Sequence, residues 1–253
     1  MPSFSQIIDQ NINQYYYYLA KKNCLNLYKG SELSWISNSS LNFLNTIFAL
    51  PSKASTQIIE NIFINILEKK YPAYLLFNDK EVSEDFEKAL LLHNFEIASK
   101  WSGMTLEIKQ LYAATPLPDF EIRLAHSYKE LKDWLSIIET GLFRNMEKLE
   151  FSFFKNLLND PKINFYLAYY QKQPATAIMS FNSDDVCGLY LLATLPQYRR
   201  MGMADTLMKE AINHGYRQGM KYSTLQATEA GYKIYERMGF KECCEIKFFR
   251  FKK

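Results

Sequence analysis

Apolar residues recur at helical spacing over the first twenty positions. Ile8, Ile12, Tyr15, Tyr16 and Leu19 share one face and predict an amphipathic helix over Ser5–Lys22. The four consecutive tyrosines from Tyr15 are spread around most of that helix, so half of them should be core or cover rather than a ligand surface. Short strand-like stretches follow at Cys24–Tyr28, Leu33–Ser37 and Leu41–Leu50, and Pro51 breaks the last. Ile58, Ile59, Ile62, Phe63, Ile66 and Leu67 form a second helical stripe, with Ser55 or Thr56 as its N-cap. Tyr74–Phe77 reads as a buried strand. Ser83 caps a helix carrying Phe86, Ala89 and Leu90, and Phe95–Ile108 reads as strand.

Leu111–Asp119, with Pro116 and Pro118, has the composition of a linker. Beyond it Phe120–His126 predicts a strand, and Ser127-Tyr128-Lys129-Glu130 a capping box ahead of an apolar face of Leu131, Trp134, Leu135 and Ile138. Gly141 weakens or ends that helix, and a second is expected from Glu147 to Leu158. Asn164–Tyr170, Ala175–Phe181 and Val186–Thr194 predict an antiparallel meander turning at Gln171–Pro174 and Asn182–Asp185. Pro196 stops the third strand. A helix with Ala204, Leu207, Met208, Ala211 and Ile212 on one face follows, with Gly215 and Gly219 as candidate stops. Tyr222–Gln226 reads as strand, Ala230–Met238 as helix, and Gly239-Phe240 leads into a closing strand through Arg250.

The order strand, proline, helix, strand, helix, turn, strand therefore occurs twice. Asn94-Phe95 stands in the first half where Gly239-Phe240 stands in the second, and asparagine is the next best residue after glycine for a left-handed helix end. The pattern predicts a degenerate internal repeat in an α+β chain. The expected domains are 1–115 and 116–253, each a mixed, mostly antiparallel sheet flanked by helices.

Composition narrows the function classes. A net charge of +3 over 253 residues gives no extended nucleic-acid footprint. Cys24, Cys187, Cys243 and Cys244 lack metal-ligand spacing, and three scattered histidines complete no zinc set, so free thiols and no metal are expected. The N-terminus lacks the pattern of a secretory signal and no apolar run is long enough for a membrane span, so a cytoplasmic protein is expected.

The chemistry concentrates at Leu189–Gly219. A short apolar strand passes through Gln197-Tyr198-Arg199-Arg200-Met201-Gly202-Met203-Ala204 into a helix. Such a turn leaves backbone N–H groups unpaired at a helix N-terminus, which attracts an anion, phosphate above all. Small residues at 202 and 204 let the phosphates reach the backbone. Arg199-x-x-Gly202-x-Ala204 resembles the Arg/Gln-x-x-Gly-x-Gly/Ala loop of the GNAT superfamily of N-acetyltransferases. Tyr235-Glu236-Arg237-Met238-Gly239-Phe240 resembles that family's Tyr-x-x-x-Gly-Phe segment, in the same order of elements.

The resemblance implies two tandem GNAT-like domains, the first without a cofactor loop because Ser52-Lys53-Ala54-Ser55 is short and glycine-free. It implies acetyl-CoA, or another acyl-CoA, bound through Arg199, Arg200, Met201, Gly202, Met203, Ala204 and Asp205, although Asp205 equally suits a helix's first turn. Leu192, Ala193 and Thr194 match the strand whose main chain pairs with pantetheine. Tyr235 matches the tyrosine that protonates the departing thiolate and also contacts the cofactor. Thr228 stands where many relatives carry a cofactor-contacting asparagine. Phe143, Phe151 and Phe154 fall among the acceptor-binding elements, although each reads first as core. Some relatives place a glutamate base on the strand before the loop; Gly188 stands there, and Glu229, Asp184 and Asp185 remain only by elimination. The implied function is acyl-CoA-dependent transfer of an acetyl group to an amine of a small molecule or peptide, by a monomer or homodimer without nucleic-acid or membrane partners. The alternatives are a catalytically weak CoA-binding sensor or scaffold, and an aminoacyl-tRNA-dependent transferase.

Overall fold

The computed structural model describes residues 2–37, 39, 41, 44–50, 56–113 and 117–252. The loop Ser52–Ser55, its Pro51, Pro116 of the linker and the expected cap at Ser55 or the Thr56 side chain lie outside them. The elements in order are α1 Phe4–Lys22, β1 Asn26–Lys29, β2 Ser34–Ser37, β3 Thr46–Phe48, α2 Thr56–Leu67, β4 Tyr74–Asn78, α3 Glu84–Leu92 and β5 Phe95–Glu107. They continue with β6 Phe120–Leu124, α4 Tyr128–Gly141, α5 Phe151–Lys155, β7 Ile163–Tyr170, β8 Gln173–Ser183, β9 Val186–Thr194, α6 Met203–Arg217, β10 Tyr222–Ala227, α7 Glu229–Arg237 and β11 Lys241–Phe251. The architecture is mixed α+β with mostly antiparallel strands.

Contacts divide the chain into two compact units. The first is Met1–Thr105 with Gln226–Glu236 and Lys241–Lys253; the second is Leu106–Leu225 with Arg237–Phe240. This differs from a single cut between residues 115 and 116, because the last strand of the chain belongs to the first unit. There the strand order is β1-β2-β3-β4-β11-β5. Ile246–Arg250 pair with Asn78–Tyr74 on one side, and Lys241–Phe251 with Thr105–Phe95 on the other. Gly103 makes room for this, since an added Cβ would stand 2.5 Å from Cys244 Sγ.

In the first unit α2 and α3 cover one core of Ile59, Ile62, Phe77, Phe86, Leu90, Phe95 and Phe249. Helix α1 begins at a capping box between Ser3 and Gln6 and packs against β4 and β11. Tyr15 and Tyr16 are buried there, Tyr16 stacked on Phe48 at 5.1 Å, while Tyr17 and Tyr18 stay partly exposed. The tyrosine run is therefore core on one side and cover on the other. Among the described residues of Leu41–Leu50, Thr46–Phe48 is strand. Asn94 takes φ +66 ahead of β5 and Gly239 φ +96 ahead of β11, so both helices end in a left-handed residue.

The second unit orders its strands β10-β9-β8-β7-β6. Successive residues of β7 identify its two faces. Phe165 packs on Trp134 of α4 at 4.9 Å, whereas the Tyr166 hydroxyl lies 2.6 Å from His214 Nδ1 of α6. Adjacent strand residues point oppositely, so α4 and α6 cover opposite faces. Helix α4 starts at the expected box, with Ser127 Oγ accepting from Glu130 N and Glu130 accepting from Ser127 N. Gln171 and Lys172, both at positive φ, make the tight β7–β8 hairpin.

The helix expected over Glu147–Leu158 is only Phe151–Lys155. Tertiary bonds take its first turn: Leu149 N donates to Glu139 Oε1 at 2.7 Å. Gly215 lies inside α6, and Gly219, at φ +87, follows its end.

Candidate functional site

The site is built on the end of β9 and the start of α6. Strand β9 pairs with β8 over its length, but its parallel pairing with β10 is confined to Val186–Gly188 against Tyr222–Thr224. The cause is a bulge. Between Ala177 and Met179 of β8 the partners move from Ala193 to Tyr190, one residue too many, and Leu191 takes φ +55 to accommodate it. At Leu192–Thr194 the β10-facing edge of β9 has no strand partner and can receive another extended chain. Leu192 and Thr194 are half-buried and Ala193 is buried.

Leu195 N donates to Ala175 O, and Pro196–Tyr198 form a single 3-10 turn. Arg199 then returns to extended backbone, while Arg200 at φ +64 and Gly202 at φ +78 make two left-handed steps into α6. Gly202 is the residue before the helix, and an added Cβ would meet no atom within 4 Å. Among the described residues, the N–H groups of Arg200 through Asp205 donate to no carbonyl. The first paired amide is Thr206 N, on Gly202 O at 3.1 Å. A row of unpaired donors with the helix's positive end behind it is an anion cradle.

The side chains around it divide into engaged and available groups. Arg199 is engaged: Nε donates to Thr194 O at 3.1 Å and a terminal nitrogen to Gly141 O at 2.9 Å. Asp205 pairs with Lys209 one turn on, at 2.7 Å, so its carboxylate stabilises the helix. Met203 is buried and Met201 exposed. Arg200 is exposed and makes no hydrogen bond or ion pair among the described residues, which leaves it the available cation of the loop. Thr176 Oγ1 donates to Ala193 O at 2.8 Å, so the Thr194 hydroxyl, 2.9 Å away, is the donor to Thr176.

Thr228 and Tyr235 belong to the Gln226–Glu236 segment, which clusters with the first unit. Thr228 immediately precedes α7, its carbonyl accepting from Gly231 N and Tyr232 N at 2.9 and 3.0 Å. Tyr235 lies back over Gly231, where an added Cβ would stand 2.9 Å from its ring. Although the residue keeps some exposed surface, desolvation pushes its phenol up to about 12.

Of the acceptor-side aromatics, Phe154 is buried in the core with Trp134 and Phe165. Phe151 packs edge-on to Tyr128 and is half-buried, as is Phe143. Asp184 and Asp185 sit in the hairpin at the far end of β9 from Thr194, and Asp185 pairs with Lys221. That position removes them as bases for chemistry at Thr194. Glu229 is exposed in the first turn of α7. A separate groove of about 440 Å³ lies toward the other end of α6, lined by Ile122, Leu124, Tyr166, Glu210 and His214 among others. Desolvation lowers the His214 pKa there. All four cysteines are free thiols, and no group of described residues has the makings of a metal site.

Two features of the site had no signal in the sequence. Leu191 is an ordinary strand residue by composition, yet it carries the bulge. Gly141 ends α4 as its residue type suggests, but nothing in the sequence shows its close approach to β9, where an added Cβ would lie 3.1 Å from Ala193 Cβ and 3.2 Å from Thr194 O.

Over the whole chain, the fold is similar to a GCN5-related N-acetyltransferase from Kribbella flavida, with TM-score 0.78 at 14% identity, covering 100% of this chain and 97% of that one. It is also similar to a functionally unknown conserved protein from Staphylococcus epidermidis, with TM-score 0.68 at 15% identity, covering 90% and 95%. A third likeness is to a GCN5-related N-acetyltransferase from Sphaerobacter thermophilus, with TM-score 0.66 at 14% identity, covering 89% and 82%. At these identities the likeness is one of fold. No curated protein matches the sequence. Residues 129–250 match the family model described as the acetyltransferase (GNAT) domain, and they contain the bulged strand, the cradle and the Tyr235 to Phe240 segment. The match to a GNAT acetyltransferase domain lies in residues 129–250, and the likeness of fold extends over the whole chain.

Proposed function

We propose that the protein transfers an acetyl group from acetyl-CoA to an amine of a small molecule or peptide. A GNAT acetyltransferase fold supports acyl transfer in general. The observation that carries the finer reading is the open edge of β9 running into a row of unpaired N–H groups at the start of α6. A ligand suited to both is extended and amide-bearing at one end and polyanionic at the other, which is the description of coenzyme A.

The residues fit that ligand. The amides of Arg200–Asp205 would hold the pyrophosphate, with Arg200 as the cation and Gly202 leaving the backbone uncovered. Main-chain groups of Leu192–Thr194 would pair with the pantetheine arm, and an N–H there would polarise the acyl carbonyl. Acetyl-CoA supplies the thioester whose acyl group the amine receives. Tyr235 is assigned the proton for the departing thiolate. In support, it stands at family spacing from Gly239-Phe240, and its phenol stays protonated at neutral pH. Thr228 is assigned a weaker cofactor contact. A protonated amine is unreactive, and no side chain here is given the task of deprotonating it.

The test is release of free thiol from acetyl-CoA over a panel of primary amines, with product mass for each. Amine-dependent release with a mass gain of one acetyl group supports the reading. Tight acetyl-CoA binding with no turnover on any amine would favour a CoA-binding sensor.

A further inference from the structure

We infer that Arg199 is a positioning residue that ties the end of α4 to the cofactor loop, and not a phosphate ligand. The inference rests on the reading of that loop as the acyl-CoA site. The guanidinium spans two carbonyls from separate elements: Thr194 O, the last of β9, at 3.1 Å, and Gly141 O, the last of α4, at 2.9 Å. Both are bonds from a cation to a carbonyl, stronger than neutral ones. A planar fork meets two acceptors at once, which a lysine ammonium on its flexible stem does not reproduce.

Two features make the tie consequential. Gly141 brings α4 against β9 so closely that any side chain there would press on Ala193 and Thr194. Beyond Gly141 the chain turns through a closed segment that leans on α4: Phe143 N donates to Ile138 O, Asn145 N to Glu139 O, and Leu149 N to Glu139 Oε1. Segment 142–149 therefore starts at a carbonyl that Arg199 holds. Because the same residue directly precedes the left-handed step at Arg200, the cradle and that segment share one anchor. The sequence motif alone suggests a cation for phosphate; the hydrogen bonds assign that task to Arg200 and give Arg199 the alignment of the two walls.

The experiment compares amide hydrogen exchange of the ligand-free full chain as wild type and as Arg199→Met, which keeps the stem and removes the donors. Losing a bond to a charged group corresponds to at least about a tenfold change in local opening. Exchange at Leu142, Phe143, Asn145 and Met146 should rise by that factor, while Leu131 at the start of α4 stays unchanged. Gly141→Ala, which forces the same junction apart from the other side, should loosen the same amides. Wild-type exchange in that segment of Arg199→Met would overturn the inference, and coupled with weakened CoA binding it would make Arg199 a phosphate ligand. Failure of wild-type protein to bind CoA would instead strike the proposed function, while the exchange result still decides the tie.

Discussion

Tyr235 rests on Gly231 one helical turn earlier, close enough that a single added methyl at 231 would stand 2.9 Å from the ring and 3.1 Å from the hydroxyl oxygen. The glycine is thus a seat for the side chain to which we assign the leaving-group proton. Removing that proton and disturbing the seat should have related effects. General-acid assistance is worth typically ~10²–10⁴ in rate, so Tyr235→Phe should lower turnover by that order with CoA affinity nearly unchanged. Gly231→Ala should gain roughly 1 kcal/mol of helix propensity yet lower turnover as well, because the ring must move. Steady-state rates and CoA titration of both variants check this. Wild-type turnover in Tyr235→Phe would return the residue to a packing role.

Gly202 tests the cradle without touching any neighbour. Its φ of +78 is one that L side chains rarely adopt, although the space around it is open. Gly202→Ala should therefore cost about 1 kcal/mol of stability through backbone strain alone. Urea unfolding of the variant measures it. A loss of several kcal/mol would mean that the loop is packed rather than open.

Much of this site was legible in the chain. The Gly-x-Ala turn, the helix stripe and the Tyr to Gly-Phe spacing are local patterns, and the local geometry follows them. What was not legible depends on partners distant in sequence. Residues 147–150 have helical periodicity, but Glu139 captures Leu149 N and the helix begins only at Phe151. Leu191 has no turn chemistry, and its bulge arises from registering β9 on β8. The sequence places a closing strand after Gly239-Phe240, but does not show that β4 and β5 flank it.

The placement of β11 gives a packing prediction. Gly103→Ala puts a methyl against Cys244 Sγ, and overpacking of that kind costs typically about 1–3 kcal/mol. Cys244→Ala in the same chain should restore most of the loss, since it removes the obstructing sulfur. Chemical denaturation of the two single variants and the double variant measures the coupling. Additive effects would separate Gly103 from Cys244 and contradict the β5–β11 register.

Asp9 makes stability depend on pH. Burial first, and then the Glu81 charge, raise its carboxyl from 3.8 to about 6, against the opposing hydrogen bond from Asn13. The folded state therefore holds this proton more tightly than the unfolded chain does. The contribution favours folding below the unfolded pKa and is lost as pH rises through about 6. A rise of about two units corresponds to a swing of up to about 3 kcal/mol. Asp9→Asn should be more stable than wild type at neutral pH and flatter between pH ~4 and ~7 in urea titrations. An unchanged pH dependence would place the effect elsewhere.

The central claim is that one acyl-CoA binds each chain at the start of α6. Calorimetric titration of acetyl-CoA into wild type and Gly202→Glu tests it most directly, because the glutamate puts bulk and a negative charge where phosphate must approach the backbone. The account predicts one site per chain in wild type and a loss of at least about a hundredfold in affinity in a folded Gly202→Glu protein, or roughly 3 kcal/mol. Two equivalent sites, or wild-type affinity in the variant, would contradict it.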